Sequence, residues 1–396
     1  MDLIQVISLL FIGFIVFTID KKKENLPVPM VLVLTGILLS FSPFFSTIEP
    51  SKELIHDWFL PAVLFTAAYQ FNSNWLKENA WLIAFISTMG LMASVLILGA
   101  SIHFIGLAAL PFTAALLISS ILSPIDSASV IPIQQETEKD QQAEKVVEGE
   151  SMASDGTSIV LFTAASTLFF AQEQFQFFSF AGTFFLKTGG GILIGLLLGW
   201  LFSKVLHFLS HHHYQVMLSI ILAYASFYIA EHFHLAGLLA TIVAGLTLSR
   251  KLDRSTRKDE YRSYLDGFWE VLEPAILSLI FLSIGIEFLD HIDWSDFLSI
   301  VIIFLLTLLI RLCMLTLTIK SIPTWRKRFN WKELILITLS GIKGTVSVAL
   351  LLGLTASQNS HIDSILSLAF GVVILSIVLQ SICIYPLSKY AARREN

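Results

Sequence analysis

The chain is 396 residues long, 55% hydrophobic and only 14% charged, with a mean hydropathy of +0.76. An ordinary soluble domain carries roughly 25% charged residues and needs a polar surface, which excludes a water-soluble globule. The formal net charge of −5 says little as a total, its distribution says more, and no nucleic-acid partner is expected.

Apolar stretches of about twenty residues recur from end to end, each long enough to cross a hydrocarbon core of roughly 30 Å as a helix. They are continuous and do not alternate with period two, so they predict helices and not a barrel. The first runs from Leu3 to Ile19, with Asp2 before it and Lys21, Lys22 and Lys23 after it. A secretory signal has the opposite order of charge and apolar run, so this segment reads as a first spanning helix. Breaking the chain at polar and Pro/Gly-rich points yields thirteen predicted spans: 3–19, 28–46, 56–71, 80–100, 106–134, 146–171, 178–206, 214–231, 235–249, 265–287, 295–319, 333–355 and 362–388. The fifth is long and interrupted, and the ninth is short. Between the fifth and sixth, the stretch QQETEKDQQAEK at 134–145 reads as a solvated cytoplasmic connection. Cys313 and Cys383 both fall in apolar runs, which implies neither a disulfide framework nor a zinc site. With short loops and a short tail, the chain 1–396 reads as a single transmembrane domain with no soluble C-terminal domain.

Loop charge sets the expected orientation. With the amino terminus outside, the inward loops and the tail hold all but four of the 25 basic residues. The exceptions are Lys52 in an outward loop and Lys187, Arg311 and Lys343 within spans, while outward loops carry acids such as Glu49, Glu53, Asp57, Asp290 and Asp293. This one-sided loading is the positive-inside pattern, and it predicts the N-terminus outside and the C-terminus cytoplasmic, as in a bacterial inner membrane.

An ionisable side chain inside a bilayer is costly, so each one marks a candidate site. The fifth span holds LLISSILSPIDSASVIPI, with Asp126 two residues after Pro124 and among Ser119, Ser120, Ser123, Ser127 and Ser129. Proline breaks the helical bonding, and freed carbonyls and hydroxyls suit a hard cation; the plainer alternative is a kink whose serines bond back to their own helix. The sixth span opens with VVEGESMASDGTSIVLF, where Glu150 and Ser154, and likewise Ser151 and Asp155, share a helical face. Glu148 fits a helix-start acid at the water interface, whereas Asp155 lies deeper. In the twelfth span, Lys343 sits mid-helix between Gly341 and Gly344, and it calls for a carboxylate partner. Two interrupted spans of opposite charge in the two halves point to a transport site at the midplane. Weaker candidates are His211, His212 and His213 in a cytoplasmic loop, Arg311 and Lys187 as acid partners or snorkelling groups, Glu231, His232 and His234 at an outward turn, and Glu270 and Glu273 near the inner surface. No G-x-S-x-G, H-E-x-x-H or Walker pattern is present and no nucleophile–base set is evident, so an enzyme is not expected.

These motifs resemble those of monovalent cation/proton antiporters of the sodium/hydrogen exchanger type, including the bacterial NhaP-like branch. EGESMASDGTSIVLF resembles the family's E-G-E-S-x-x-N-D stretch, SGIKGTVSVALLL its G-L-R-G-A-V-S run, and SPIDSASV its S-x-T-D-P-x-A-V break. FYIAEHFHLAGLLATIVAGLTLS and FWEVLEPAILSLIFLSIGIEF are similar to its later helices. The resemblance implies an all-α polytopic fold of about 13 helices with inverted repeats, two interrupted crossing helices and a homodimeric assembly. It places Asp155 as the carboxylate shared by cation and proton, with Ser151, Asp126, Ser154 and Ile125 at flanking ion-site positions, and Glu150 with Lys343 as a buried ion pair. The chain departs from the pattern at Ile125, Ser127, Ser154, Thr66 and Lys343, which stand where the family has threonine, proline, asparagine, often an acid, and arginine.

The implied activity is exchange of sodium, with lithium and potassium as alternatives, for a proton by competition at Asp155. Transported ions are then the only ligands and no cofactor is expected. With Ser154 uncharged, one carboxylate titrates and one-for-one electroneutral exchange follows, provided Lys343 keeps its proton. A transporter of another small substrate, such as an organic anion held by Lys343, is the alternative.

Overall fold

The computed structural model describes residues 2–23, 27–48, 53–71, 73–106, 110–126, 138–171, 175–206, 211–253, 258–321, 323–326, 331–354 and 361–384. Ser127 and Ser129 of the fifth span lie outside these residues. Helices account for nearly all of the described chain, because in a bilayer each backbone donor and acceptor must be satisfied within its own segment. In chain order they are α1 (Leu3–Lys23), α2 (Val28–Ser40), α3 (Leu60–Gln70, entered through a wide turn at Leu54–Phe59), α4 (Ser73–Phe85), α5 (Leu91–Ile105) and α6 (Phe112–Ile121). Then follow α7 (Glu138–Ala171), α8 (Phe177–Leu206), α9 (His212–His232), α10 (Gly237–Leu252), α11 (Lys258–His291), α12 (Phe297–Ser321), the single turn α13 (Pro323–Arg326), α14 (Trp331–Leu339), α15 (Thr345–Leu352) and α16 (Ile362–Leu375).

Among the described residues, eight helical stretches are long and apolar enough to cross a membrane: Leu3–Lys21, Asn79–Ile105, Lys145–Ala171, Phe177–Leu206, His212–His232, Arg262–His291, Trp294–Ser321 and Ile362–Ile384. The shorter α2, α3, α6 and α10, and the pair α14 and α15, fall at the other predicted spans. The chain is a multi-pass α-helical membrane protein.

One predicted connection is structured. Helix α7 begins at Glu138, so the polar stretch expected as a loop forms, from that residue on, the first turns of a 34-residue helix, while 134–137 lie outside the described residues. Its glutamates, lysines, glutamines and alanine are good helix formers, and no glycine or proline interrupts them before Gly149. Helix α11 likewise extends beyond its prediction and keeps Pro274 inside it. Ser278 Oγ donates to the Pro274 carbonyl at 2.7 Å.

Close helix approach sets the frame around the site. Helix α11 packs along α2, and α10 along α8 and α3. At the α2–α11 crossing a Cβ on either Gly36 or Gly285 would lie 2.9 Å from the other's Cα, so only glycine admits this contact. Phe65 of α3 meets Trp269 of α11 at a ring separation of 5.1 Å, and Trp269 Nε1 donates to Ser219 Oγ of α9 at 3.2 Å. Helices α3, α7 and α11 line one cavity.

Candidate functional site

The two interrupted segments meet. Helix α6 stops at Ile121, and Ser123–Asp126 continue without helical bonding, as expected before and after Pro124. The later span stops at Leu339 and restarts at Thr345. At the crossing the Asp126 N–H donates to the Ile342 carbonyl at 2.8 Å, forming an isolated antiparallel bridge. Thr345 N–H donates to Asp126 Oδ2 at 3.1 Å, so a carboxylate sits on the positive end of α15. Ser347 Oγ donates to the Ile121 carbonyl at 2.7 Å, satisfying an acceptor at the end of α6. Gly344 makes the approach possible, since a Cβ there would fall inside the Asp126 carboxylate. Gly344→Ala is therefore expected to push Asp126 off the α15 end and lower transport by at least about tenfold, in line with the cost of an ångström-scale misplacement. Initial rates in proteoliposomes, normalised to reconstituted protein, check it.

Helix α7 carries the remaining groups to this crossing. Ser151 Oγ donates to the Ile125 carbonyl at 2.8 Å, and Ser154 Oγ donates to the Ser151 carbonyl at 2.9 Å. Asp155 is 8% exposed, and among the described residues its carboxylate has no hydrogen bond or ion pair. It opens onto a cavity of about 610 Å³ shared with Asp126, Ser151, Glu148, Glu273, Gln70 and Thr345. Asp126 is close enough to act on it electrostatically. Three acids and an unpartnered fourth facing one cavity, with no basic side chain lining it among the described residues, make a place for a cation or a proton.

A second cavity, of about 570 Å³, lies against the crossing and is lined by Glu150, Arg311 and Lys343 together with Ser94, Ser123 and Thr307. Arg311 Nη2 donates to Glu150 Oε2 at 3.1 Å and to the Ile337 carbonyl at 3.2 Å. This corrects the expected Glu150–Lys343 pair: Glu150 is bound by Arg311 of α12, whose guanidinium passes over Gly341, where a side chain would block it. Lys343 shares the cavity, but among the described residues its ammonium has neither a hydrogen bond nor an ion pair.

The structure thus brings together Asp155, Asp126, Ser151 and Ile125, and it places Ser154 one turn along α7 with its hydroxyl spent on the helix. Ser119, Ser120 and Ser123 bond back to carbonyls of their own helix, the plainer of the two expectations for them. Thr66 does the same toward Ala62. His212 stacks on Tyr264 at 3.8 Å and lines neither cavity. Glu231 receives the Gly237 N–H at 3.1 Å and so caps α10.

Two functional groups carry more weight in the structure than their sequence pattern suggests. Glu273, expected near the inner surface, lines the Asp155 cavity; its signal is an acid directly before an intrahelical proline in an apolar run. Arg311 carries the same mark as Lys343, a basic residue in mid-span.

Comparison with known proteins bears on the family and the fold. The profile of the family described as sodium/hydrogen exchanger, transmembrane, matches residues 6–390. The chain is similar to the Na(+)/H(+) antiporter NhaH of Halobacillus aidingensis, at 30% identity with 98% of this chain and 97% of that protein covered. It is also similar to the Na(+)/H(+) antiporter NhaG of Bacillus atrophaeus, at 30% identity over 93% of this chain and 71% of that protein. In fold it matches the sodium proton antiporter MjNhaP1 from Methanocaldococcus jannaschii at pH 8, with a TM-score of 0.80, 21% identity, and 99% of this chain and 100% of that one covered.

Proposed function

Because the chain belongs to the sodium/hydrogen exchanger family, we propose that it exchanges a monovalent cation, sodium first, for a proton across the membrane. The observation that carries this is Asp155, a buried carboxylate without a partner among the described residues, facing a cavity beside the crossing of two broken helices. An isolated charge in that position is stable only when neutralised, by a proton or by a metal cation. One carboxylate cannot hold both, so each displaces the other.

Sodium would take Asp155, the Ser151 hydroxyl oxygen and an oxygen of Asp126 as ligands, the hard oxygen donors it prefers. Asp126 contributes charge while the Thr345 N–H holds it in place. Ser154 and the Ile125 carbonyl support the Ser151 position. Alternating access follows if α7 and the crossing half-helices move together when the site is neutralised and stay put when it is not. With a single exchanging carboxylate the ratio is one to one; turnover then stays the same when an imposed membrane potential is varied in proteoliposomes.

The orientation proposed is the one loop charge supports, with the N-terminus outside and the C-terminus in the cytoplasm of a bacterial cell. Gln70 and Glu148 then lie toward the cytoplasmic ends of α3 and α7, Glu273 lies midway along α11, and the Asp155 cavity faces the cytoplasm. The working unit is a homodimer in the lipid bilayer, as the family resemblance implies, and the chain forms one transport domain without a resident cofactor.

The test is a sodium jump on vesicles carrying a pH indicator, with lithium and potassium compared. Cation-dependent proton movement supports exchange; flux of cation without proton movement would instead mean a channel, and response only to an organic anion would mean the other transporter class. Within this scheme Glu273→Gln is expected to raise the apparent KM for sodium about fivefold at low salt, since one fewer cavity charge removes roughly 1 kcal/mol of attraction. The effect should shrink as ionic strength rises.

A further inference from the structure

We propose that Ser376 and Gln380 are positioning residues of the exchange reaction: they form a hydrogen-bonded latch on the backbone of the break between α14 and α15. The proposal rests on the exchange reading above and concerns residues that line neither cavity.

The break creates a problem that the membrane makes severe. Carbonyls at the end of α14 have lost their helical donors, and no water is present in hydrocarbon to replace them. Gln380 supplies the donors: its Nε2 reaches the Leu339 carbonyl at 2.9 Å and the Gly341 carbonyl at 3.3 Å. Its Oε1 accepts from the Ser376 hydroxyl, and Ser376 Oγ in turn accepts the Lys343 N–H at 3.0 Å. The chain of bonds therefore starts at Lys343 and ends on Gly341, both within the break, and on Leu339, the last residue of α14. Each partner has only one way to bond. The carbonyls only accept and the Lys343 N–H only donates, which orients the amide with its nitrogen toward α14.

Both side chains are sealed from outside, Ser376 at 0% and Gln380 at 2% exposure, and they sit one wide turn apart at Ser376–Gln380, directly after α16. Such turns, with an extra residue inserted in the helix, are frequent at functional positions. The latch holds residues 339, 341 and 343, and the bonds that locate Asp126 fall on residues 342 and 345 of the same short segment. Releasing the latch frees the segment that fixes Asp126, although neither Ser376 nor Gln380 is a ligand of the ion.

The experiment compares sodium-dependent proton flux in proteoliposomes across a pH series for Gln380→Met, Gln380→Glu, Ser376→Ala and Ser376→Thr, beside the unaltered protein. Gln380→Met keeps the bulk but not the donors, and its maximal rate should fall about tenfold at every pH, as for an ångström-scale misplacement. Gln380→Glu can donate to a carbonyl only while protonated, so its rate relative to the unaltered protein should decline steadily as pH rises. A merely space-filling role would leave that ratio flat. Ser376→Thr should keep most of the rate and Ser376→Ala should lose severalfold.

A normal rate for Gln380→Met, or a flat ratio for Gln380→Glu, overturns the latch. If Gln380→Met does not yield folded protein, equal rates for Ser376→Ala and Ser376→Thr overturn it instead, and a severalfold gap supports it. Exchange that survives in Asp155→Asn, run as a control, overturns the cation site and not the latch, whose signature is the pH-dependent ratio.

Discussion

Sodium-driven proton movement is expected to fall to the empty-vesicle background when Asp155 is replaced by asparagine. The substitution preserves size and most of the polarity, and removes both the negative charge and the capacity to take up a proton. No neighbour can take over. Asp126 is engaged by the Thr345 N–H at the start of α15, and Ser151 spends its hydroxyl proton on the Ile125 carbonyl. Glu273 and Glu148 share the cavity but come from α11 and from a position two turns earlier on α7. A second readout separates binding from transport. Adding sodium or lithium to the detergent-solubilised protein should release protons, and that release should vanish in Asp155→Asn. Undiminished exchange in this variant would mean that the cation and proton meet somewhere else.

The second large effect concerns stability. Removing one member of a buried ion pair typically costs about 3–5 kcal/mol, because the other charge is left uncompensated. Glu150 and Arg311 form such a pair, with side chains 9% and 11% exposed. Their deletions should not be equal. Glu150→Gln leaves Arg311 and Lys343 facing one cavity with no acid among its described lining residues, so its loss should lie at the upper end of that range. Arg311→Met leaves Glu150 beside Lys343, which can take the vacated place, so its loss should be clearly smaller. The double variant should be more stable than Glu150→Gln alone, since one of two unpaired cations is gone. Thermal unfolding of the purified variants, followed by size-exclusion retention after heating, orders the three. Equal losses in the two single variants would show that Lys343 does not compensate.

Much of the candidate site is legible in the residues alone. Asp155, Asp126 and Ser151 stand out because ionisable or hydroxyl groups in apolar runs have few structural reasons to be there, and the fold gathers them at one crossing. Pro124 and the pair Gly341 and Gly344 mark the two breaks, and both occur. Partnership is harder to read. Lys343 matches Glu150 in role, yet Arg311, 161 positions away along the chain, reaches the carboxylate. Glu273 differs in depth: its position along the chain puts it near a helix start, but α11 starts earlier than its apolar run and carries it to the cavity. The polar stretch before α7 departs from its expected loop for a related reason, since helix propensity extends a span beyond the part that lipid requires.

The residues by themselves determined that the chain is helical, spans the membrane many times and keeps a few ionisable groups where lipid would exclude them. These follow from transfer energies and from backbone bonding within a single segment, which are local to each stretch of chain. Only the tertiary structure decided which charge answers which, that Arg311 and not Lys343 bonds Glu150, and that Ser376 and Gln380 bond to the backbone of the second break. Such pairings join helices remote in sequence and depend on separations of a few ångströms, where electrostatic and hydrogen-bond energies change steeply and residue spacing along one helix carries no information.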